Sequence, residues 1–198
     1  MFEKLDDVRE DLMRRLIRAA KDRKQAMHTP SVITSDVDVR TMVLREFDSE
    51  AWTLRFHTDT RSPKVAVIDA DPRMAVLLYD KGAKVQIRAR GTGKVLREGE
   101  VVDRAWANGT NFAKRCYLGE GPGAASAEPT SGLPPEFEGV EPIDEQVVPA
   151  RPNFGVLLIE IAELDWLYLA HTGHLRAQFT KAGGGRPNFS WEGRWVSP

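Results

Sequence analysis

The chain of 198 residues has almost no cysteine. Cys116 stands alone, so no internal disulfide can form and no cysteine-rich metal site can be built; it reads as a half-buried small side chain. A surplus of charge of either sign is missing too. With 28 Lys and Arg against 29 Asp and Glu, the formal net charge is -1, which gives no bulk attraction to nucleic acid or acidic lipid. Any anion site must therefore be local. No apolar run approaches the length of a membrane span, and Met1-Phe2-Glu3-Lys4-Leu5-Asp6-Asp7 lacks the basic-then-apolar order of a signal peptide. A cytoplasmic protein with neither membrane nor nucleic acid as partner is expected. His171 and His174 lie three residues apart with no nearby carboxylate, a poor metal set, so no metal site is expected.

What is present is ordinary for a globular protein, 41% hydrophobic and 29% charged, and the length suits a single domain over residues 1–198. Leu5, Val8, Leu12, Leu16 and Ala20 recur at helical spacing, with Asp6 and Asp7 at the start and Lys21, Arg23 and Lys24 near the end. An amphipathic helix over about 3–25 is expected. After Pro30 the period changes. Residues 32–35, 39–47, 52–58, 74–79 and 85–96 read as strands, rich in β-branched and aromatic residues. Val85, Ile87 and Ala89 point to one face of theirs, Gln86, Arg88 and Arg90 to the other. Residues 100–117 return to helical character, with a break plausible at Gly109.

The stretch 118–152 is a long loop rich in Gly and Pro, in which no regular element fits; such a loop is usually functional or mobile. Strands resume at 154–161, 164–169, 174–180 and 190–196, with Gly183-Gly184-Gly185 marking a hairpin turn. There is no internal repeat. Many strands, few helices and short turns predict a mainly β protein with flanking helices, an antiparallel split β-barrel. Trp166, Trp191 and Trp195 read as core of its C-terminal strands.

Between two apolar runs lies Phe56-His57-Thr58-Asp59-Thr60-Arg61-Ser62-Pro63-Lys64. It reads as a strand-to-helix turn, with Ser62 as N-cap and Pro63 at the first helical position. The unpaired N–H groups of the helix start would then face Thr58, Arg61 and Lys64, a geometry that favours an anion. Taken alone, it reads equally as a capped helix start with solvent-facing cations.

The series Arg40-Thr41-Met42-Val43-Leu44-Arg45, Phe56-His57-Thr58, Ser62-Pro63-Lys64, Gln86-Ile87-Arg88 and His174-Leu175-Arg176-Ala177-Gln178 resembles the pyridoxamine 5'-phosphate oxidase-like FMN-binding split-barrel family. The resemblance covers about residues 30–198 and is strongest over 40–96. It implies FMN as cofactor, with the backbone of Arg40, Thr41, Met42, Val43, Leu44 and Arg45 along the flavin ring and Arg40 also reaching the phosphate. His57 and Thr58 match a cofactor-contacting pair, and Ser62 and Lys64 match phosphate ligands, with Arg61 the cation beside them. Gln86 matches a glutamine that reaches FMN from the second subunit, which implies a homodimer with FMN at the interface; Arg88 shares its strand face.

The sequence departs from the family at the substrate end. The family's Arg-Leu-His-x-Arg becomes His174-Leu175-Arg176-Ala177-Gln178, and its first-strand lysine becomes Arg45. Trp106, Arg115 and Ser126 or Ser131 occupy the region of its substrate-phosphate ligands without clean matches. The resemblance thus implies an FMN-dependent oxidoreductase that moves a hydride from a small amine or alcohol to flavin N5, with Arg45, His174 and Arg176 orienting a substrate whose identity does not carry over. The alternative is a non-catalytic flavin or small-ligand binding protein, or a redox sensor, on the same barrel.

Overall fold

The computed structural model describes residues 2–183 and 189–198. The first helix, α1 (Leu5–Lys21), is shorter than the periodicity predicts. Asp22 adopts an extended backbone, and its carboxylate accepts from the Lys24 backbone N–H and the Gln25 side chain. That local bonding offers the chain an alternative to another helical turn. Val8, Leu12, Leu16 and Ala19 form the buried stripe of α1.

Among the described residues, nine strands then make a mainly antiparallel sheet: β1 (Ser31–Ile33), β2 (Val39–Thr41), β3 (Glu46–Asp48), β4 (Thr53–Asp59), β5 (Arg73–Asp80), β6 (Val85–Leu96), β7 (Phe154–Tyr168), β8 (Leu175–Gly183) and β9 (Phe189–Val196). Their order is β2-β1-β5-β6-β7-β4-β3, with β8 on β7 and β9 on β8. The path stays open between β2 and β3, as a split barrel requires. Among the described residues, four α-helical segments follow α1: α2 (Pro63–Ala70), α3 (Glu100–Ala107), α4 (Asn111–Lys114) and α5 (Asp144–Val147).

Several boundaries differ from the expected ones for identifiable reasons. The strand expected over 39–47 divides because its middle changes partner: Met42 and Leu44 donate to the carbonyls of Pro30 and His28, whereas Arg45 donates to Arg55. The strands expected at 154–161 and 164–169 are one, β7, whose second half pairs with β8 from Glu163↔Thr180 to Tyr168↔Leu175. The 118–152 loop is not devoid of regular structure. It holds a 3-10 turn at Pro135–Phe137, then α5 and a 3-10 segment at Val148–Asn153. In α5 the Gln146 side chain reaches back to the Ile143 N–H, local bonding that hydrophobic periodicity does not report. The expected hairpin glycines Gly184 and Gly185 lie outside the described residues, and Cys116 is exposed rather than half-buried.

The chain divides into two compact units. The first comprises Met1–Phe56, Asp71–Gly93 and Leu158–Pro198. Its core joins the α1 stripe to Val32, Leu54, Val76, Leu78, Ile87, Ile161 and Trp166. Asp11, buried on α1, accepts from Arg15 Nε at 2.7 Å and from Trp166 Nε1 at 3.2 Å, so the one buried acid of that helix is satisfied. At Gly91 β6 comes close to β7: a Cβ there would lie 1.8 Å from the carbonyl oxygen of Glu160. The second unit comprises His57–Ala70 and Lys94–Leu157. It centres on Phe154, whose ring meets those of Trp106, Tyr117 and His57 at 5.3, 5.1 and 5.0 Å. Arg115 pins its long loop by donating to the carbonyls of Phe137 and Val140.

Candidate functional site

In the second unit, β4 ends on Asp59, and this buried carboxylate organises the turn. It accepts from the Arg61 backbone N–H at 2.8 Å and from Arg61 Nε and Nη2 at 3.0 and 2.7 Å. An aspartate that bonds its own backbone two residues on is a turn-former. Ser62 N–H then donates to the Asp59 carbonyl, Val65 N–H to the Ser62 carbonyl, and α2 begins at Pro63 as expected. Ser62 is only 8% exposed, and its hydroxyl accepts from Lys64 Nζ at 2.8 Å. A hydroxyl and an ammonium therefore converge at the start of a helix, beside buried Thr58.

Arg61 behaves differently from its neighbours. Its guanidinium forks onto Asp59 and donates through Nη1 to the Gly119 carbonyl at 2.8 Å. The hydrogen bonds with Asp59 raise its pKa above the usual arginine value. Ser62 and Lys64 are thus brought together, while Arg61 is held on the protein's own acid. His57 is half-buried with its ring against Phe154. The other expected substrate-end residues of this unit are engaged locally: Trp106 lies under Lys114 Nζ at 5.3 Å, Ser126 donates to the Glu128 carbonyl and Ser131 to the Glu138 carboxylate.

In the first unit, Arg40 on β2 pairs with Asp38 and donates to Thr34 Oγ1 at 3.0 Å. Thr41 and Arg45 are exposed, Met42 and Val43 half-buried, and Leu44 fully buried. On β6 the predicted sidedness holds: Val85, Ile87 and Ala89 are buried, while Gln86 stands opposite Tyr79 and Arg88 opposite Leu77 on the outer face. His174 is exposed just before β8.

The residue that sequence reasoning missed is Asp165. It sits on β7, 7% exposed, and receives Arg88 Nη2 at 2.7 Å, Arg176 Nη2 at 2.8 Å and Gln178 Nε2 at 2.9 Å. Register explains the convergence. Asp165 pairs with Gln178 and Leu167 with Arg176, so the acid and both β8 side chains share one sheet face. Burial by itself pushes the Asp165 pKa up, but the hydrogen bonds from Arg176 and Gln178 and the charges of Arg88 and Arg176 outweigh it and leave the pKa lowered. The available signal was an acid inside the apolar run Leu164-Asp165-Trp166, a placement that is costly unless cations meet it. Among the described residues, no group of three His, Cys, Asp or Glu side chains could hold a metal ion, and no helix is long and apolar enough to cross a membrane.

A family model described as pyridoxamine 5'-phosphate oxidase, FMN-binding domain, matches residues 10–97. Pyridoxine/pyridoxamine 5'-phosphate oxidase of Caulobacter vibrioides is 34% identical over 74 residues, which cover 36% of this chain and 32% of that protein. The chain thus matches about a third of the length of this curated relative. The solved structure of a pyridoxamine 5'-phosphate oxidase-related, FMN-binding protein from Nostoc punctiforme is similar with a TM-score of 0.72 at 20% identity, over 100% of both chains. PhzG from Burkholderia lata, solved with tetrahydrophenazine-1-carboxylic acid, gives 0.68 at 17% identity, over 100% of this chain and 98% of that one. Strand order and structural likeness together show the split-barrel fold. Within that fold, residues 10–97 are similar to the FMN-binding domain of the pyridoxamine 5'-phosphate oxidase type.

Proposed function

We propose that the chain is an FMN-dependent oxidoreductase that takes a hydride from a small amine or alcohol and works as a cytoplasmic homodimer with the flavin at the subunit interface. The observation that carries this reading is the Ser62–Lys64 pair at the start of α2. A phosphate near charge -2 suits an ammonium, a buried hydroxyl and a helix N-terminus together. That donor set fits FMN better than riboflavin. When bound, FMN supplies the hydride acceptor at N5, and the chain supplies binding and orientation.

In this reading Ser62 and Lys64 hold the phosphate, with Arg61 and Arg40 as further cations once they exchange Asp59 and Asp38 for it. The backbone of Thr41 to Arg45 lies along the ring, with His57 and Thr58 contacting the cofactor. Gln86 and Arg88 of the second subunit complete the pocket. Arg45, His174 and Arg176 orient the substrate. The test is flavin fluorescence titration followed by reduction assays. FMN is expected to bind at least about tenfold more tightly than riboflavin, the worth of about 1.4 kcal/mol. Bound flavin should be reduced by at least one small amine or alcohol donor, with slow aerobic turnover of pyridoxamine 5'-phosphate. Equal affinity for the two flavins would remove the phosphate site.

One observation favours the alternative of a flavin-binding protein without turnover. The candidates for holding a substrate phosphate are committed elsewhere: Arg115 to two loop carbonyls, Arg176 to Asp165, and Ser126 and Ser131 to neighbours in the loop. A flavin that no donor reduces would favour it.

A further inference from the structure

From Cys116 to Ala150, inside the second unit, the chain carries seven acidic residues and neither a lysine nor an arginine, so the rest of a protein of formal net charge -1 is net positive. Five of the seven acids lie between Glu136 and Glu145, all of them exposed. Those of the five that are bonded accept from neutral donors: Glu138 from the Ser131 hydroxyl, Glu141 from the Phe112 N–H and Asp144 from the Asn111 side chain. Among the described residues none of the five takes part in an ion pair. Two cations stand close by in sequence, but Lys114 lies over the Trp106 ring and Arg115 is engaged with two carbonyls and the Phe112 ring. The acids remain in excess.

Apolar side chains stand among them. Phe112, Val140 and Ile143 are 48%, 53% and 61% exposed. A solitary exposed apolar residue is ordinary, whereas a group rimmed by charge marks an interaction surface. Local bonds draw these three together. The Arg115 guanidinium stacks 3.6 Å from the centre of the Phe112 ring and donates to the Val140 carbonyl, while Phe112 N–H and Asn111 bond the acids on either side of Ile143, Glu141 and Asp144. The Gln146 side chain fixes the Ile143 N–H in turn. The face is shaped before any partner arrives, so docking on it costs this chain little ordering.

We infer that this face docks a cationic segment of another protein, one that carries apolar side chains between its lysines or arginines. Phe112, Val140 and Ile143 take the apolar side chains, and the acids around them meet the cations. Charge selects the class of partner. Acids in this number repel nucleic acid and anionic lipid, and an apolar partner without cations would strip water from the acid rim with no compensating contact. A metal ion is a poorer match, because no group of three acids among the described residues is placed to hold one. The inference stands apart from the flavin reading, in which Phe112, Val140, Ile143 and these acids have no role.

The experiment is calorimetric titration of the full chain, before and after FMN addition, with three short synthetic peptides: an amphipathic one of leucine and lysine, one in which serine replaces leucine, and one in which glutamate replaces lysine. The leucine–lysine peptide is expected to bind at least about tenfold more tightly than either of the others. Its affinity should fall as salt shortens the screening length from about 10 Å at 0.1 M to about 3 Å at 1 M. Val140→Ser with Ile143→Ser should erase most of its advantage over the serine–lysine peptide, and Glu136→Gln with Glu145→Gln should weaken both lysine peptides. All four side chains are exposed, so both variants should fold and take up FMN as wild type does. Equal binding of the leucine–lysine and leucine–glutamate peptides would reduce the face to an apolar patch, and equal binding of the two lysine peptides would reduce it to charge alone. Absence of binding at millimolar peptide, or binding unchanged in both variants, would end the inference. A wild-type dimer that becomes monomeric in light scattering on Val140→Ser with Ile143→Ser would assign the face to a second copy and overturn the partner. FMN uptake lost in that variant would assign it to the cofactor site, whereas peptide binding by a wild type that takes up no FMN supports the docking face and sinks only the flavin reading.

Discussion

Replacing Asp165 by alanine removes one buried carboxylate and leaves three side-chain donors facing one another. Hydrogen bonds to a charged group contribute about 1.5–3 kcal/mol, and breaking a fully buried ion pair costs about 3–5 kcal/mol. The two charged partners of Asp165 soften that figure unequally. The Arg88 side chain is 48% exposed and regains water, so its share falls to the surface range of about 0.2–1 kcal/mol. Arg176 at 24% exposure keeps more of its cost. The expected loss is about 2–3 kcal/mol for Asp165→Ala, and less for Asp165→Asn, whose amide oxygen still accepts. For a chain of this size that lowers Tm by about 5–10 °C.

Urea denaturation followed by tryptophan fluorescence reads the loss directly, with the slope of the transition as a check on the two-state assumption. Acid supplies a second readout. The folded pKa of Asp165 lies below its ordinary value of 3.8, so its contribution is fully present above that value and is lost as pH falls through the lower folded value. The stability difference between wild type and Asp165→Asn should therefore be full above about pH 4, shrink as pH falls below it, and vanish only below the lowered folded pKa. A stability change under about 0.5 kcal/mol for Asp165→Ala, the range of an ordinary surface change, would refute the cluster's role, as would a wild-type advantage undiminished in acid.

At Gly91 the predicted failure is steric: Gly91→Ala drives a methyl into the Glu160 carbonyl, so a loss above about 3 kcal/mol or insoluble protein is expected, and a thermal melt within about 2 °C of wild type would contradict it. At the turn, Lys64→Ala should weaken FMN by about tenfold or more and Arg61→Ala by less, because Arg61 already serves Asp59; the reverse order in a flavin titration would reassign the phosphate. The outer face that carries Gln86, Arg88, Leu77 and Tyr79 should be covered by a second copy, giving a dimer in light scattering; a monomer that still saturates with FMN would remove the second-subunit role of Gln86.

Period-two alternation made β6 legible in the sequence, down to which of Val85 through Arg90 are buried, because each residue there answers to one nearby constraint, the pleat. The entry to α2 was legible for the same reason. Ser62-Pro63 is local chemistry, and so is the break after Ala107 near Gly109. What escaped depends on partners remote in sequence. Nothing local says that residues 42–45 divide their hydrogen bonds between His28–Pro30 and Arg55, or that Arg61 reaches the Gly119 carbonyl. The candidate site was legible only as a series of residues, and its electrostatics were not. Asp59 and Asp165 each take up cations that the sequence alone offers to a ligand.

Asp165 also connects the departures from the family pattern at the C-terminal strand. Arg176 stands where the family has its imidazole, and Gln178 where it has its last arginine. Both now donate to Asp165, while His174 lies exposed before β8. Oδ2 of Asp165 already receives Arg88 and Arg176, and a third guanidinium at 178 would set another like charge beside those two against a single carboxylate. A neutral amide fits that place, donating through nitrogen to Asp165 and accepting through oxygen from Arg194. The exchanged histidine and arginine, the lost cation and the buried acid are therefore one change in charge. It moves the free positive charge of this face outward, from the position of Gln178 to Arg194.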